Sequence, residues 1–122
     1  MYFVGIDVGT GSVRAALVSH AGEVFAQASR PLQTWTYEED SRLYEQSSAQ
    51  VWHALAECVR TLVEQSRVRP EEVRGIGFDA TCSLVAVQKN TGQPRCITPH
   101  HLPQHTERNV ILLSLIHISE PT

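Results

Sequence analysis

Gly5-Ile6-Asp7-Val8-Gly9-Thr10-Gly11-Ser12-Val13-Arg14 is the stretch on which the reading of this chain turns. It starts inside an apolar run, Tyr2 to Val8, of the kind expected for a strand covered on both faces. Gly9-Thr10-Gly11 interrupts the run, and Ser12 to Ser19, rich in Val, Ala and Leu, resumes it as a second strand. The two glycines let backbone amides approach an anion with no Cβ in the way, and successive amides in such a turn form a concave nest. Thr10 and Ser12 add hydroxyl donors. Asp7, at the end of a buried strand, offers a carboxylate to magnesium, directly or through water. Arg14 adds positive charge nearby. These residues suit a phosphate site; the alternative is an ordinary glycine-rich hairpin. A Walker loop is excluded because Gly-Lys-Ser and Gly-Lys-Thr are absent. A dinucleotide fingerprint is excluded because Arg14 stands where a third glycine belongs and because a strand, not a helix, follows.

Downstream, His20-Ala21-Gly22-Glu23 is a short turn and Val24 to Arg30 a third strand, antiparallel because so short a link allows nothing else. Pro31 to Gln46, holding Trp35, Tyr37 and Tyr44 among acids, has no clear period and is expected to be a long loop. Ser47-Ser48-Ala49-Gln50 predicts a helix start, with Ser47 as N-cap and Gln50 reaching back. Val51, Ala54, Leu55, Cys58, Val59, Leu62 and Val63 recur at helical spacing as one apolar stripe. Pro70-Glu71-Glu72 suggests a helical turn, Arg74 to Asp79 a fourth strand, Ser83 to Gln88 a fifth, and Lys89 to Pro94 a turn. Three strands, a helix and two strands depart from the strict alternation of a Rossmann domain.

The chain has 122 residues, enough for one domain of ordinary size and too few for two. A net charge of −3 and the lack of a basic stripe argue against a nucleic-acid partner. The apolar runs are too short to span a bilayer and the N-terminus reads as a strand, not a signal peptide, so no membrane partner and a cytoplasmic location are expected. Three cysteines, an odd number without a Cys-x-x-Cys pair, fit a reducing compartment, with a free buried thiol expected at Cys58, Cys82 and Cys96. His100, His101 and His105 lie among Pro94, Pro99 and Pro103 with no accompanying ligand set, and are expected to be loop histidines rather than a metal site.

The order of elements resembles the start of the ribonuclease H-like fold used by actin, Hsp70 and sugar kinases. Asp7-Val8-Gly9-Thr10-Gly11-Ser12-Val13-Arg14 is similar to the opening phosphate motif of the FGGY carbohydrate kinase family. Tyr44-Glu45-Gln46-Ser47-Ser48, with Trp52 on the helix, looks like that family's Glu-Gln segment before its first long helix. Arg74-Gly75-Ile76-Gly77-Phe78-Asp79-Ala80-Thr81-Cys82-Ser83-Leu84 looks like its strand-loop-strand beside the sugar pocket, in the wording of a ribulokinase-like branch. Glycerol kinases would carry an Arg-Glu pair in this loop. The likeness runs over roughly residues 2 to 111. It implies an α/β protein of ribonuclease H-like (actin-like ATPase and sugar kinase) fold, present as an incomplete N-terminal domain. It also implies an ATP-dependent carbohydrate kinase acting on a small-molecule sugar, a ketopentose such as ribulose, with ATP and Mg2+ as cofactors. On that resemblance Asp7 would hold magnesium, and Gly9, Thr10, Gly11, Ser12 and Arg14 would surround the phosphates. Asp79, Ala80, Thr81 and Cys82 would border the sugar; their alternative role is a strand end packed in the core. The competing functions are an actin- or Hsp70-like ATPase, which shares the Asp-x-Gly-Thr turn, and a non-catalytic truncated binding module.

After Arg108-Asn109-Val110-Ile111 the family continues with Trp and then Asp and Arg. This chain instead has Leu113-Ser114-Leu115-Ile116-His117-Ile118-Ser119-Glu120-Pro121-Thr122, which looks like an in-frame translation of a transposase-type sequencing-library adapter. The expected division is 1–112 as the N-terminal part of domain I and 113–122 as a non-native tail, the competing reading being a natural one. The family's catalytic base and adenosine pocket lie beyond these residues, so no catalytic base is expected here and the chain by itself is expected to be inactive.

Overall fold

The computed structural model describes residues 1–37, 40–97 and 107–112. Its strands are β1 Tyr2–Val8, β2 Ser12–Ser19, β3 Val24–Pro31, β4 Trp35–Tyr37, β5 Asp40–Gln46, β6 Val73–Ala80, β7 Ser83–Val85 and β8 Val110–Leu112. The helix α1 is Ser48–Ser66, and a 3-10 turn occupies Pro70–Glu72. The chain divides into two compact units, Met1–Leu32 with Val51–Ala80, and Gln33–Gln50 with Thr81–Thr122.

In the first unit the sheet order is β3-β2-β1-β6. β1 is antiparallel to β2, as the short turn requires, and parallel to β6, which the chain reaches by the crossover through α1. Alternation along the strands decides which face is buried. Val4 and Ile6 of β1, Val13, Ala15 and Leu17 of β2 and Ala26 of β3 form one buried layer. Ala54, Cys58 and Leu62, four residues apart on α1, close over it. Their flanks Val51, Leu55 and Val59 are partly buried, whereas Val63 is exposed and lies outside the stripe expected for it. Arg30, also on the helix side of β3, donates from Nε to Glu57 Oε2 at 3.2 Å and from Nη2 to Thr61 Oγ1 at 2.9 Å. The Cys58 thiol donates to the Val13 carbonyl at 3.6 Å, which satisfies the one polar group in this layer of the helix. On the outer strand β6 the side chains of Ile76 and Phe78 remain 54% and 65% exposed.

The second unit corrects the expected loop. Pro31 to Gln46 contains β4 and β5, antiparallel to each other, in a sheet ordered β4-β5-β8-β7. Each strand is short, and β5 is completed by β8, where Glu45 pairs with Ile111 and Gln46 with Val110. A partner so distant in sequence leaves no local period to read. Strand β7 also ends earlier than expected. Ala86 N–H leaves the ladder to bond Asn109 O at 2.8 Å, and Val87 bridges to Pro94.

The start of α1 is held from both sides within this unit. Ser47 Oγ accepts from Gln50 N–H at 3.2 Å, as an N-cap should. The reciprocal half of the expected capping box is redirected: Gln50 Oε1 accepts instead from Gln33 N–H at 2.7 Å. Asn109, fully buried, accepts from Ser48 N–H at 2.9 Å through Oδ1. Its Nδ2 donates to Ser48 Oγ at 2.8 Å and to the Ala86 carbonyl at 3.1 Å. Of the three cysteines, only Cys58 is buried; Cys82 is exposed and Cys96 half-buried, and all are free. The expectation of a buried thiol therefore fails at Cys82, which lies in the short link between β6 and β7, and holds only in part at Cys96. No helix among the described residues is long and apolar enough to cross a membrane.

Candidate functional site

The β1–β2 hairpin closes with the Gly9 N–H donating to Ser12 O at 2.8 Å. The two glycines have different reasons to be glycine. A Cβ on Gly9 would stand 3.2 Å from Ser12 O, tighter than the turn accepts without shifting. A Cβ on Gly11 would meet nothing within 4 Å, so the space above Gly11 is open. The Gly11 carbonyl accepts from Leu32 N–H at 2.9 Å, which ties the turn to the end of β3. Thr10 is engaged by other protein groups and Ser12 opens β2.

Hairpin and crossover registers bring the charged residues into one row. Asp7 pairs with Arg14 across the antiparallel ladder and with Asp79 across the parallel one, and Arg14 in turn pairs with Ser29. Ser29, Arg14, Asp7 and Asp79 thus stand side by side on the face opposite α1, since residues in register share a face. Arg14 Nη2 donates to Asp7 Oδ2 at 2.6 Å, with the side chains 63% and 45% exposed respectively. The row borders a groove of about 740 Å³ whose lining includes Gly5, Ala16 and Gly77. A Cβ on Gly5 or Gly77 would meet nothing within 4 Å, so the missing side chains leave the groove floor low.

Asp7, Gly9, Thr10, Gly11, Ser12 and Arg14 therefore all lie on one hairpin, at its turn and on the strand ends that meet there. The four residues expected to border a sugar are divided. Asp79 and Ala80 end β6, where Asp79 joins the charged row, while Thr81 and Cys82 belong to the second unit. There the Thr81 and Ser83 hydroxyls lie 3.4 Å apart. His100, His101, His105 and the 113–122 tail fall outside the described residues. Among the described residues no group of three or more metal-ligating side chains gathers. The Asp7–Arg14 ion pair escaped sequence reasoning. Its signal lay in the closing of the turn: with Val8 opposite Val13, the next pair outward is Asp7 and Arg14.

The chemistry of this donor set fits a metal-bound polyphosphate. A half-exposed carboxylate at a strand end suits a hard cation that keeps several of its waters. Open space over a glycine next to hydroxyl-bearing neighbours, with a guanidinium alongside, suits phosphate oxygens.

Comparison with known proteins identifies the family. Residues 2–102 match the FGGY family of carbohydrate kinases, N-terminal domain. The chain is 42% identical over 111 residues to a D-ribulokinase of Saccharomyces cerevisiae, covering 91% of this chain and 15% of that protein. It is 44% identical over 115 residues to the human FGGY carbohydrate kinase domain-containing protein, covering 91% and 19%. Among solved structures, xylulose kinase from Rhodospirillum rubrum superposes with a TM-score of 0.70 at 22% identity, covering 93% of this chain and 20% of that one. That likeness establishes the sugar-kinase, actin-like fold of an incomplete N-terminal domain. The chain spans less than a fifth of the length of these two curated relatives. It belongs to the FGGY family of carbohydrate kinases, whose N-terminal domain it carries in part.

Proposed function

We propose that the family-length protein to which this chain corresponds transfers the γ-phosphoryl group of ATP to a hydroxyl of a ketopentose, ribulose being the first candidate. The observation that carries the reading is the row Arg14, Asp7, Asp79 beside the Gly9–Gly11 turn. Two carboxylates and a guanidinium next to a groove with a low floor support it, since a metal and phosphate groups need such partners. Asp7 holds Mg2+ or one of its waters, and Gly9, Thr10, Gly11, Ser12 and Arg14 receive the phosphates. Mg2+ supplies charge neutralisation on the phosphates when bound. Asp79, Ala80, Thr81 and Cys82 border the sugar, and the small side chains among them leave room for an open-chain substrate. The ribulose preference is supported by the 42% identity to a D-ribulokinase and by the wording of residues 78–84.

Phosphoryl transfer needs donor, acceptor, metal and base held together. We assign no base among these residues, and the 122-residue chain alone is proposed to be inactive. Its residues 1–112 are proposed as the N-terminal part of domain I and 113–122 as a non-native tail, which sequencing of genomic DNA across codon 112 decides. The family-length protein is proposed to work in the cytoplasm.

The test is family-length protein incubated with ATP, Mg2+ and a panel of ketopentoses. Sugar phosphate should form, with ribulose among the best substrates, and Asp7→Ala should reduce turnover to background. ATP hydrolysis indifferent to every sugar, with no sugar phosphate formed, would transfer support to the actin- or Hsp70-like ATPase reading.

A further inference from the structure

The carboxylate that the reading above gives to magnesium is already taken. Arg14 Nη2 bonds Asp7 Oδ2 at 2.6 Å, between residues paired directly across the hairpin. The same Nη2 lies 3.9 Å from where a Cβ of Gly9 would stand, so the guanidinium also leans over the turn assigned to phosphate. On the other flank Asp79 occupies the neighbouring register position on β6. The charged row therefore carries one net negative charge with Arg14 in place and two without it. Both partners of the ion pair are substantially exposed, and such pairs are weak enough to exchange readily.

Two kinds of visitor meet this pair differently. A bare divalent cation must displace a cation from Asp7 and then remain beside it. A metal carrying phosphate brings its own acceptors. A guanidinium bonds planar pairs of phosphate oxygens at least as well as a carboxylate. Arg14 can move the short distance toward the turn, and Asp7 is released to the metal in the same exchange. We infer that Arg14 is an internal counter-ion that weakens the hold of Asp7 on bare divalent cations and yields it when a phosphate-bearing metal complex arrives. Entry of metal and nucleotide together is then favoured over metal first. The inference rests on the reading of Asp7 as the metal's carboxylate.

The test uses Mn2+ on the 122-residue chain, with proton relaxation enhancement reporting bound metal, alone or carried by inorganic pyrophosphate, which needs no adenosine pocket. Arg14→Gln should bind bare Mn2+ about three- to tenfold more tightly than the unmodified chain, the order expected for removing one repelling charge at close range in a solvated site. The same variant should bind the Mn2+–pyrophosphate complex more weakly, and Asp7→Asn should bind neither form. Opposite changes in one variant are something that mere loosening of the hairpin would not produce. Arg14→Lys keeps the charge without the fork. It should bind bare Mn2+ as the unmodified chain does and the complex less well, and it carries the test if Arg14→Gln does not fold. If Arg14→Gln leaves bare Mn2+ binding unchanged or weakens it while Asp7→Asn abolishes it, the counter-ion role is refuted and Asp7 stands as the metal's carboxylate. If Asp7→Asn binds Mn2+ as well as the unmodified chain, the metal reading falls and the inference with it.

Discussion

Replacing Asn109 by alanine tests how the second unit holds the start of α1. The main-chain bonds of Asn109, from its N–H to Gln46 O at 3.1 Å and to its carbonyl from Ala86 N–H at 2.8 Å, survive the substitution. Three side-chain bonds do not: those to Ser48 N–H, Ser48 Oγ and the Ala86 carbonyl. The Ser48 N–H is a first-turn donor with no partner inside the helix, and losing such a cap costs about 1 kcal/mol. The Ala86 carbonyl keeps the Arg95 N–H as a donor at 3.1 Å, so losing the amide costs only about 0.5–1.5 kcal/mol. The Ser48 hydroxyl can rotate to another partner and adds little. The expected loss is about 1.5–2.5 kcal/mol, a sizeable share of an ordinary domain's ~5–15 kcal/mol. Urea unfolding followed by far-UV circular dichroism reads it. With a slope of about 1–2 kcal/mol/M, the midpoint should fall by roughly 1–2 M. Asn109→Asp retains the acceptor for Ser48 N–H but turns a second acceptor toward the Ala86 carbonyl, and should fall between the two. A midpoint for Asn109→Ala within about 0.3 M of the unmodified chain would refute the reasoning, because it would mean that water or relaxation satisfies the Ser48 N–H at no cost.

The two glycines of the hairpin turn should separate folding from binding. Gly9→Ala is expected to lower stability by about 1–3 kcal/mol because its Cβ meets the Ser12 carbonyl at 3.2 Å, as a thermal melt would show. Gly11→Ala should leave the melt within about 0.5 kcal/mol yet weaken ATP binding in the family-length protein, and equal destabilisation by the two would contradict the assignment. Burial pushes the Cys58 thiol above its ordinary value of 9.0. Its stabilising contribution is thus full below the unfolded value and declines as pH rises from there through the folded one. Stability should fall on the alkaline side of pH 9.0, Cys58→Ala should flatten that part of the decline, and alkylation should reach Cys82 in the native state but Cys58 only on unfolding.

What could be read without coordinates was what neighbouring residues determine. Tyr2 to Arg30 announces its strands by runs of Val, Ala and Leu broken by short glycine turns, and α1 announces itself through Ala54, Cys58 and Leu62. The parallel addition of β6 was reachable as well, because a helix must carry the chain back across the sheet. β4 and β5 were not, since β5 is completed by Val110–Leu112 far along the chain. Asn109 was hidden for the same reason: its amide acts on a helix that begins 61 residues earlier. At the candidate site the residue types on the hairpin were legible. The row that joins Asp79 to them was not, because it depends on the β1–β6 register, and a shift of one residue would have put Phe78 or Ala80 beside Asp7.

The position of β1 between a near neighbour and a remote one sets the order in which its two edges are satisfied. β2 follows across a three-residue turn, Gly9 to Gly11, whereas β6 begins only at Val73. Closing the longer loop costs about 2.5 kcal/mol more in chain entropy, so the meander forms before the crossover strand joins it. During synthesis at about 5–20 residues per second, roughly 3–13 s separate the completion of β1 from the arrival of β6. Through that interval one edge of Tyr2–Val8 is available for pairing with other nascent chains, and Asp7 is the only charged residue on it. A carboxylate at the end of an apolar strand discourages such pairing. Asp7 therefore guards the edge of the unfinished sheet until β6 covers it.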